Sequence, residues 1–167
     1  EARMIRYQDE QILTMVRDIT ARKNAEESLR ENQTLLKTIM DNCPAIIFLK
    51  DPEVRYLYAN LRFKILAHLS PEDIVGKTDF DLFPHEEAAA FRANDLTVLK
   101  TGSASQFEEV AAHDDGLHTS VVYKFPLFDG GGNVYATGGI GADITERKRI
   151  EDTLRKSEAR FRYLADY

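Results

Sequence analysis

Apolar residues near each end of the chain recur every three or four positions, which is the period of an amphipathic helix. In residues 25–39 and again in residues 150–164 the spacing is 4, 3, 4 and 3, with polar Asn32 or Ser157 at the centre. So narrow an apolar stripe among charges is typical of a coiled-coil seam, although a helix packed on its own domain has a similar pattern. We predict a homodimer whose seam residues are Leu29, Asn32, Leu36, Ile39, Ile150 and Leu154.

These two segments belong to a longer repeat, in which Asp18-Ile19-Thr20 recurs as Asp143-Ile144-Thr145. The offset of 125 residues matches one domain plus a connector, and each threonine is placed to cap the helix that follows it. We therefore predict four parts. They are the terminal strand of a preceding domain (residues 1–17, with QILTMV), a helical connector (18–42), a central domain (43–145), and a second connector leading into a following domain (146–167).

Between the connectors, the hydrophobic pattern changes to the alternation of β-strands. Two strands, AIIFLK and VRYLYA, meet at a Pro52-Glu53 corner, and three more follow in residues 104–113, 117–128 and 134–145. Three helical segments lie in between: one capped by Asn60, a helical turn at SPEDIVG, and a longer helix from Pro84 to Gly102. The order β-β-α-α-α-β-β-β predicts an α+β domain with a five-stranded antiparallel sheet and helices on one face.

Composition restricts the classes of partner that the chain is expected to bind and the cellular compartment in which we expect it. A net charge of −6 argues against a nucleic acid or an anionic membrane surface as the main partner. The single cysteine, Cys43, forms no internal disulfide, and the longest apolar run, AIIFL, is too short to span a bilayer. We expect a cytoplasmic chain with no direct membrane contact, while the parent protein could be membrane-anchored elsewhere.

Tests for catalytic chemistry find no complete constellation in the sequence. His85-Glu86-Glu87 has no second histidine at zinc-site spacing, and it lacks the helix pattern of a kinase phosphoacceptor. The DGGGN segment lies between two strands, which favours a hairpin turn over a phosphate-binding loop. Gly138, Gly139 and Gly141 in the last strand indicate either close backbone packing or room for a ligand. We expect this chain not to be an enzyme and predict neither a catalytic residue nor a metal site.

Five motifs, in order, carry a family resemblance: AIIFLKD, YLYAN, DIVGKTDFDLFP, YKFPLFD and GGIGADITERK. Over about Asp41 to Lys148 the chain resembles a PAS domain, of the kind found in multi-PAS bacterial histidine kinases. The resemblance implies a sheet with strand order 2-1-5-4-3, counted within the domain. It also implies a ligand-sized cavity between the sheet and the helix that ends at Gly102.

The sequence leaves several kinds of ligand possible for that cavity. A flavin photosensor of this family needs a cysteine beyond the short-helix region, whereas Cys43 precedes the first strand, and no histidine lies in the long helix between Glu86 and Lys100 to ligate haem. The cofactor is therefore unknown, with haem and flavin disfavoured. Arg92 and Lys124 are possible contacts for an acidic ligand. Aromatic and aliphatic residues predict a small apolar or aromatic ligand, or simply a packed core, and the candidates are Tyr58, Phe63, Phe80, Phe91, Phe107, Tyr123, Phe125 and Ile140.

The resemblance also implies a function, in which the domain passes a ligand- or partner-induced change from its last strand into the coiled-coil helix. The signal junction would be Asp143, Ile144, Thr145, Arg147 and Lys148, and in the family the aspartate pairs with the basic residues. The partners would be neighbouring PAS domains and an output domain, most often a histidine kinase. Two alternatives remain, a ligand-free dimerisation or spacer module and a PAS module of a cyclic-dinucleotide enzyme.

Overall fold

The structure, a computed structural model, describes residues 2–7, 11–16, 19–70, 73–113 and 116–165. It divides into two units, residues 1–39 and 40–167. The strands are β1 (Ala2–Tyr7), β2 (Gln11–Val16), β3 (Ile46–Lys50), β4 (Tyr56–Ala59), β5 (Ser105–His113), β6 (Gly116–Phe128) and β7 (Val134–Asp143). The helices are α1 (Thr20–Asp41), α2 (Leu61–Ala67), α3 (Asp79–Leu82), α4 (His85–Thr101) and α5 (Thr145–Ala165).

The first unit contains a hairpin and most of helix α1. Strands β1 and β2 pair antiparallel, from Ala2 opposite Val16 to Tyr7 opposite Gln11. The strand at QILTMV was predicted from the sequence, whereas its partner β1 was not. Asp18 of the repeat lies outside the described residues, as do Asp166 and Tyr167 at the other end. The side chains of Leu29, Leu36 and Ile39 on α1 are exposed.

The second unit contains a five-stranded antiparallel sheet with the order β4-β3-β7-β6-β5. Counted within the domain, this is the order 2-1-5-4-3, and the predicted α+β fold class is confirmed. Strand β7 lies at the centre, because Gly139 pairs with Phe48 of β3 on one side and with Lys124 of β6 on the other. The closing strand is thus held between two neighbours, and helix α5 begins two residues after it ends.

The hydrophobic core lies between the sheet and the helices α2 and α3. Its buried members are Phe48, Tyr56, Ala59, Phe63, Ile74 and Val122. The rings of Phe48, Tyr56 and Phe63 meet edge-on or tilted, with centroids 5.3–6.1 Å apart, which is a favourable aromatic arrangement. Since successive side chains of a strand point to opposite faces, Ile46 and Phe48 of β3 and Val122 of β6 face this core together.

Asn60 joins three parts of the domain and is fully buried. Its side-chain oxygen accepts hydrogen bonds from the backbone N–H of Phe63 and of Ile47, so it caps α2 as predicted. Its amide nitrogen donates to the carbonyl oxygens of Met40 and Ala45. A buried amide with every hydrogen-bonding group satisfied fixes the start of the sheet against the start of the helices.

Helix α4 ends at Gly102, whose φ of 61° is the left-handed conformation that glycine adopts without steric cost. None of the helices in the described ranges is long and apolar enough to cross a membrane.

Candidate functional site

A cavity of about 280 Å³ lies between the inner face of the sheet and helices α2, α3 and α4. Its apolar wall comes from alternate residues of the strands and from aromatic residues on or beside the helices. The main apolar wall residues are Ile46, Phe48, Phe63, Phe83, Phe91 and Val122. A cavity of this volume, with an aromatic wall and a few polar groups, is typical of a site for a small organic molecule.

Buried charged residues form the floor of the cavity. The ammonium nitrogen of Lys50 lies 2.7 Å from both carboxylate oxygens of Asp79 and 2.6 Å from Oδ2 of Asp95. All three side chains are at most 1% exposed. Lys50 lies in an apolar strand and Asp79 opens helix α3, so the ion pair joins the sheet to the helical layer. The pairing offsets the free-energy cost of removing these charges from water.

Lys124 of β6 extends the same cluster. Its ammonium lies 2.7 Å from Oδ1 of Asp95 and 2.8 Å from Oε1 of Glu109, and it donates a hydrogen bond to the carbonyl oxygen of Phe91. Oδ1 of Asp95 approaches at an angle outside hydrogen-bond geometry, so that short contact is an ion pair only. Burial alone would lower the pKa of Lys124, but the two carboxylates outweigh burial and raise the pKa.

Tyr56 of β4 completes the floor. Its hydroxyl donates a hydrogen bond of 2.7 Å to Oδ1 of Asp79, and the ammonium of Lys50 lies 4.5 Å from its ring centroid. Burial and the nearby carboxylate of Asp79 raise the pKa of Tyr56 well above its ordinary value. The phenol therefore stays protonated and acts as a hydrogen-bond donor.

The opposite end of the cavity opens at a rim that includes His68, Ala112, His113 and Asp143. Three of these four residues are exposed, while His113 is half-buried. This rim and the floor lie at different points along β6. Asp143 pairs with Ser120, whereas Lys124 of the floor is four residues farther along the same strand and on the same face. One residue of the predicted signal junction is thus also a cavity residue.

Asp143 has well-defined partners, but they are not the predicted ones. Its Oδ2 lies 2.5 Å from Nδ1 of His118, and its Oδ1 accepts a 2.8 Å hydrogen bond from the backbone N–H of Thr145. Partial burial alone would raise the pKa of Asp143, but the hydrogen bonds from Thr145 and His118 outweigh burial and lower the pKa to about 2. The carboxylate therefore joins strand β6 to the first residue of α5.

The predicted pairing of Asp143 with Arg147 or Lys148 is wrong. Arg147, the third residue of α5, pairs with Glu151 at 2.7 Å, while Lys148 reaches back to Glu108 of β5 at 2.5 Å. The hydroxyl of Thr145 also differs from expectation, because it accepts from the N–H of Thr119 on β6 instead of capping its own helix. The backbone N–H of Ile144, in turn, donates to the carbonyl oxygen of Thr119. The junction is consequently attached to the sheet.

Of the eight predicted cavity residues, Phe63 and Phe91 line the cavity. Phe107 is on the inner face, opposite Val122, but outside the lining. The other five lie elsewhere, so the prediction that they line the cavity is wrong for them. The following residues are outside the lining: Tyr58, Phe80, Tyr123, Phe125 and Ile140.

Strand alternation explains three of these misplacements. Tyr123 and Phe125 alternate with buried Val122 and Lys124, so they point to the outer face of the sheet, where Ile140 lies opposite Tyr123. Tyr123 and Ile140 are 50% and 43% exposed, respectively.

Local structure explains the other two. Tyr58 lies opposite Leu49, which alternates along β3 with the inward-facing Phe48 and Lys50, and its hydroxyl donates to Asp41. Burial and the negative charge of Asp41 raise the pKa of Tyr58 to about 12. Phe80 is 44% exposed and contacts His85, because the adjacent Asp79 is the α3 residue that turns inward.

Sequence reasoning missed the charged floor of the site. The signal was available, since Lys50 is in phase with Ile46 and Phe48, and Glu109 is in phase with Phe107 and Ala111. Lys124 was considered only as a contact for an acidic ligand, but its ammonium is already ion-paired. Arg92, the other such candidate, hydrogen-bonds to the carbonyl oxygen of Glu53 and does not line the cavity.

The predicted seam residues of α5 are exposed. Ile150 is 61% and Leu154 59% exposed, and Phe161 farther along the same face reaches 70%. On α1, Asn32 is exposed together with the three apolar seam residues. This exposure matches a surface that is free to pair, and the dimer itself stays a prediction.

A family model described as a PAS fold matches residues 40–149. The chain is 25% identical over 128 residues to the aerobic respiration control sensor protein ArcB of Escherichia coli K12, covering 76% of this chain and 16% of that protein. It is 32% identical over 135 residues to the methanogenesis regulatory histidine kinase FilI of Methanothrix harundinacea, covering 79% of this chain and 15% of that protein. The chain thus spans about a sixth of the length of these curated relatives.

Among solved structures, a ligand–DNA complex of Vibrio cholera VqmA superposes on the chain with a TM-score of 0.60 and 29% sequence identity. The match covers 65% of this chain and 50% of that one.

Proposed function

The chain belongs to the PAS family, and from that premise we propose that residues 43–145 sense a small ligand and relay its presence through helix α5 to an output domain. Relatives such as FilI are histidine kinases, which supports a histidine kinase as the output. The VqmA complex contains a ligand, which supports a cavity that is filled in the functional state. As part of a signalling protein, this module would act by binding and not by catalysis.

One observation carries the proposal. The carboxylate of Asp143 belongs to the cavity rim, and the same carboxylate binds the N–H of the first residue of α5. A ligand that changes the position or the hydrogen bonds of Asp143 therefore acts on the helix through a single side chain. No long chain of intermediates is needed between the site and the output helix.

Movement at the junction would then change the helix that follows. Asp143 also binds His118, and Lys148 holds the second turn of α5 to Glu108, so the start of α5 is attached to both β5 and β6. Loss of one attachment would turn the exposed seam of α5 relative to its partner in a homodimer. Coupling free energies of about 1–3 kcal/mol are typical of such transmission, so modest changes at the junction suffice.

The repeat supports a proposal for domain organisation as well. Residues 18–42 and 146–167 would be equivalent connectors, and residues 1–17 would be the end of a preceding PAS domain. The hairpin of β1 and β2 agrees with this assignment, because β6 and β7 also form an antiparallel pair immediately before a connector helix.

A second candidate function is dimerisation without a ligand. It is favoured by the outer face of the sheet, where Tyr123 and Ile140 are 50% and 43% exposed, in addition to the helix seams. In that case the domain would set the distance between the domains on either side of it, and the cavity would have no role in signalling.

Two measurements test the proposal. Native mass spectrometry and thermal shift with a metabolite library should detect a small molecule bound to the chain, and its absence in both would favour the ligand-free alternative. In the full-length parent protein, Asp143→Asn should change the basal output while the domain remains folded. Asp152→Asn is the matched control, because Asp152 is an exposed α5 residue whose ion pair, with Arg155, lies within the same helix. Equal outputs from the two variants would exclude Asp143 from signal transfer.

A further inference from the structure

The two buried ammonium groups at the floor of the cavity are each already surrounded by oxygens of the protein. An ammonium has three N–H bonds. Three oxygens surround Nζ of Lys50, two from Asp79 and one from Asp95. Three oxygens likewise surround Nζ of Lys124, from Phe91, Asp95 and Glu109. A carboxylate or phosphate ligand would therefore have to break an existing ion pair before either lysine could bind it.

The acceptors of the floor, in contrast, are not all used. Oε1 of Glu109 receives Lys124 at 2.8 Å and the side-chain amide of Asn94 at 2.9 Å. Within the described part of the chain, its other oxygen, Oε2, has neither a hydrogen bond nor an ion pair. The side chain of Glu109 is only 10% exposed and lines the cavity. The carboxylate group of Glu109 is thus largely enclosed beside empty space, and a donor placed in that space would satisfy Oε2.

The charge balance at the floor points in the same direction. The buried cluster contains the carboxylates of Asp79, Asp95 and Glu109 but only the ammonium groups of Lys50 and Lys124. Acidic side chains therefore outnumber basic ones in this cluster by one, so a further cation or strong donor would find an acceptor there.

A second unused acceptor lies near the rim. Oε2 of Glu87 on α4 is buried without a hydrogen bond, while its Oε1 accepts from the N–H of Ala112, a rim residue. Glu87 itself lies outside the cavity lining, whereas Glu109 is part of it, so a donor on a ligand would meet Glu109.

The rest of the cavity accommodates an apolar ring. Phe48, Phe63, Phe83 and Phe91 form its wall, and a volume of about 280 Å³ exceeds the roughly 150 Å³ that is sufficient for benzene in an engineered apolar cavity. One substituted ring therefore fits, with its polar group directed toward Glu109.

We propose that the cavity selects a small aromatic molecule bearing a protonated amine or an equivalent N–H donor, and that Glu109 accepts that donor through Oε2. This inference rests on the proposed function, because it names the ligand class of the same sensory cavity. Glu109 determines specificity by charge, and the phenylalanine wall determines size and shape. The lysines hold the acidic side chains in place and do not contact the ligand's charge.

Three probes of nearly equal size and different charge test the proposal on the full chain: phenethylamine as its ammonium ion, 2-phenylethanol, and phenylacetate. Calorimetry or NMR titration should give phenethylammonium a Kd at least about tenfold below that of the alcohol, because a hydrogen bond to a charged group is strong in a buried site. Phenylacetate should bind most weakly. Preference for the alcohol or the acid would overturn the inference and leave ligand sensing intact, whereas failure of all three probes to bind would count against ligand sensing itself.

Substitution then identifies the residue responsible. Glu109→Gln should raise the Kd of phenethylammonium to about that of the alcohol and leave the Kd of the alcohol unchanged. Glu108→Gln is the matched control, because Glu108 precedes it on β5 but is exposed and pairs with Lys148 outside the cavity. An unchanged Kd in the Glu109 variant would contradict the assignment.

A measurement on the unmodified protein covers the case in which that variant does not fold. Intermolecular NOEs should connect the methylene next to the probe's nitrogen with the γ-methylene of Glu109. NOEs to His113 at the rim, without any to Glu109, would contradict the proposed orientation.

Discussion

At the scale of single residues, paired charges in the interior determine which side chains define the site. Lys50 and Lys124 are at most 1% exposed, although lysine is almost never fully buried unless paired. Each lies between carboxylates contributed by helices and strands far away in sequence. Sequence reasoning identified both strands but not these partners, because an ion pair depends on which helix residues face the sheet.

Replacing Lys50 with Met tests this cluster. The change keeps most of the side-chain volume but leaves Asp79 and Asp95 short of a cation, so we expect a loss of about 3–5 kcal/mol in the free energy of unfolding. Urea denaturation measures it. Arg147→Met, which removes an exposed i,i+4 pair, should leave the unfolding midpoint unchanged. Equal stability of the Lys50 variant and the unmodified chain would contradict a structural role for the buried pair.

The carboxyl group of Asp143 provides a prediction on pH. Its pKa is lowered from 3.8 to about 2, so the ionised form is favoured by folding. The stabilisation is fully present above pH 3.8 and is lost as the pH falls through about 2. Carbon-13 NMR titration of the side-chain carboxyl should give a midpoint near 2, and His118→Leu should raise it by removing one hydrogen bond. A midpoint at or above 3.8 in the unmodified chain would show that the junction contacts do not form.

At the scale of elements, strand period was the most reliable guide, and the assignment of faces was the least. The sequence predicts a strand at β6, and the aromatic character of Tyr123 and Phe125 predicts that they face the cavity. The inward set is instead Val122 and Lys124, since the ion pairs of the lysine offset its burial. The same inversion applies to α3, where Asp79 is buried and Phe80 exposed. Hydrophobicity alone therefore assigns the wrong face wherever a charge is buried with partners.

The central strand β7 offers a test of close packing. A Cβ atom on Gly139 would come within 2.2 Å of the ring of Phe48, which forms part of the cavity wall. Gly139→Ala should therefore destabilise the domain by about 1–3 kcal/mol through overpacking and displace that ring. Gly130→Ala is the matched control, because a Cβ there meets nothing within 4 Å. Thermal unfolding measures the difference between the two variants, and equal melting temperatures would contradict the packing assigned to β7.

At the scale of the whole molecule, the repeat, the order of elements and the family resemblance were together sufficient to predict the fold. The order of elements predicted an antiparallel sheet with helices on one face, because hairpin connections leave few topologies open, whereas the strand order came from the resemblance to PAS domains. The partners of Asp143 were not accessible in this way, since His118 lies on a strand 25 residues away. The account therefore depends on one physical link, from the cavity through Asp143 to the seam of α5.

Pulsed electron paramagnetic resonance tests that link most directly, with a spin label at Lys156→Cys on α5 in a Cys43→Ser background. Ala111→Phe fills the cavity as a ligand would, and Val110→Phe, on the exposed outer face of the same strand, is its control. The account predicts a label-to-label distance in the dimer that shifts with Ala111→Phe, not with Val110→Phe, and no longer shifts when Asp143 is also replaced by Ala. The same distance in all variants, or no measurable distance between two copies, would contradict it.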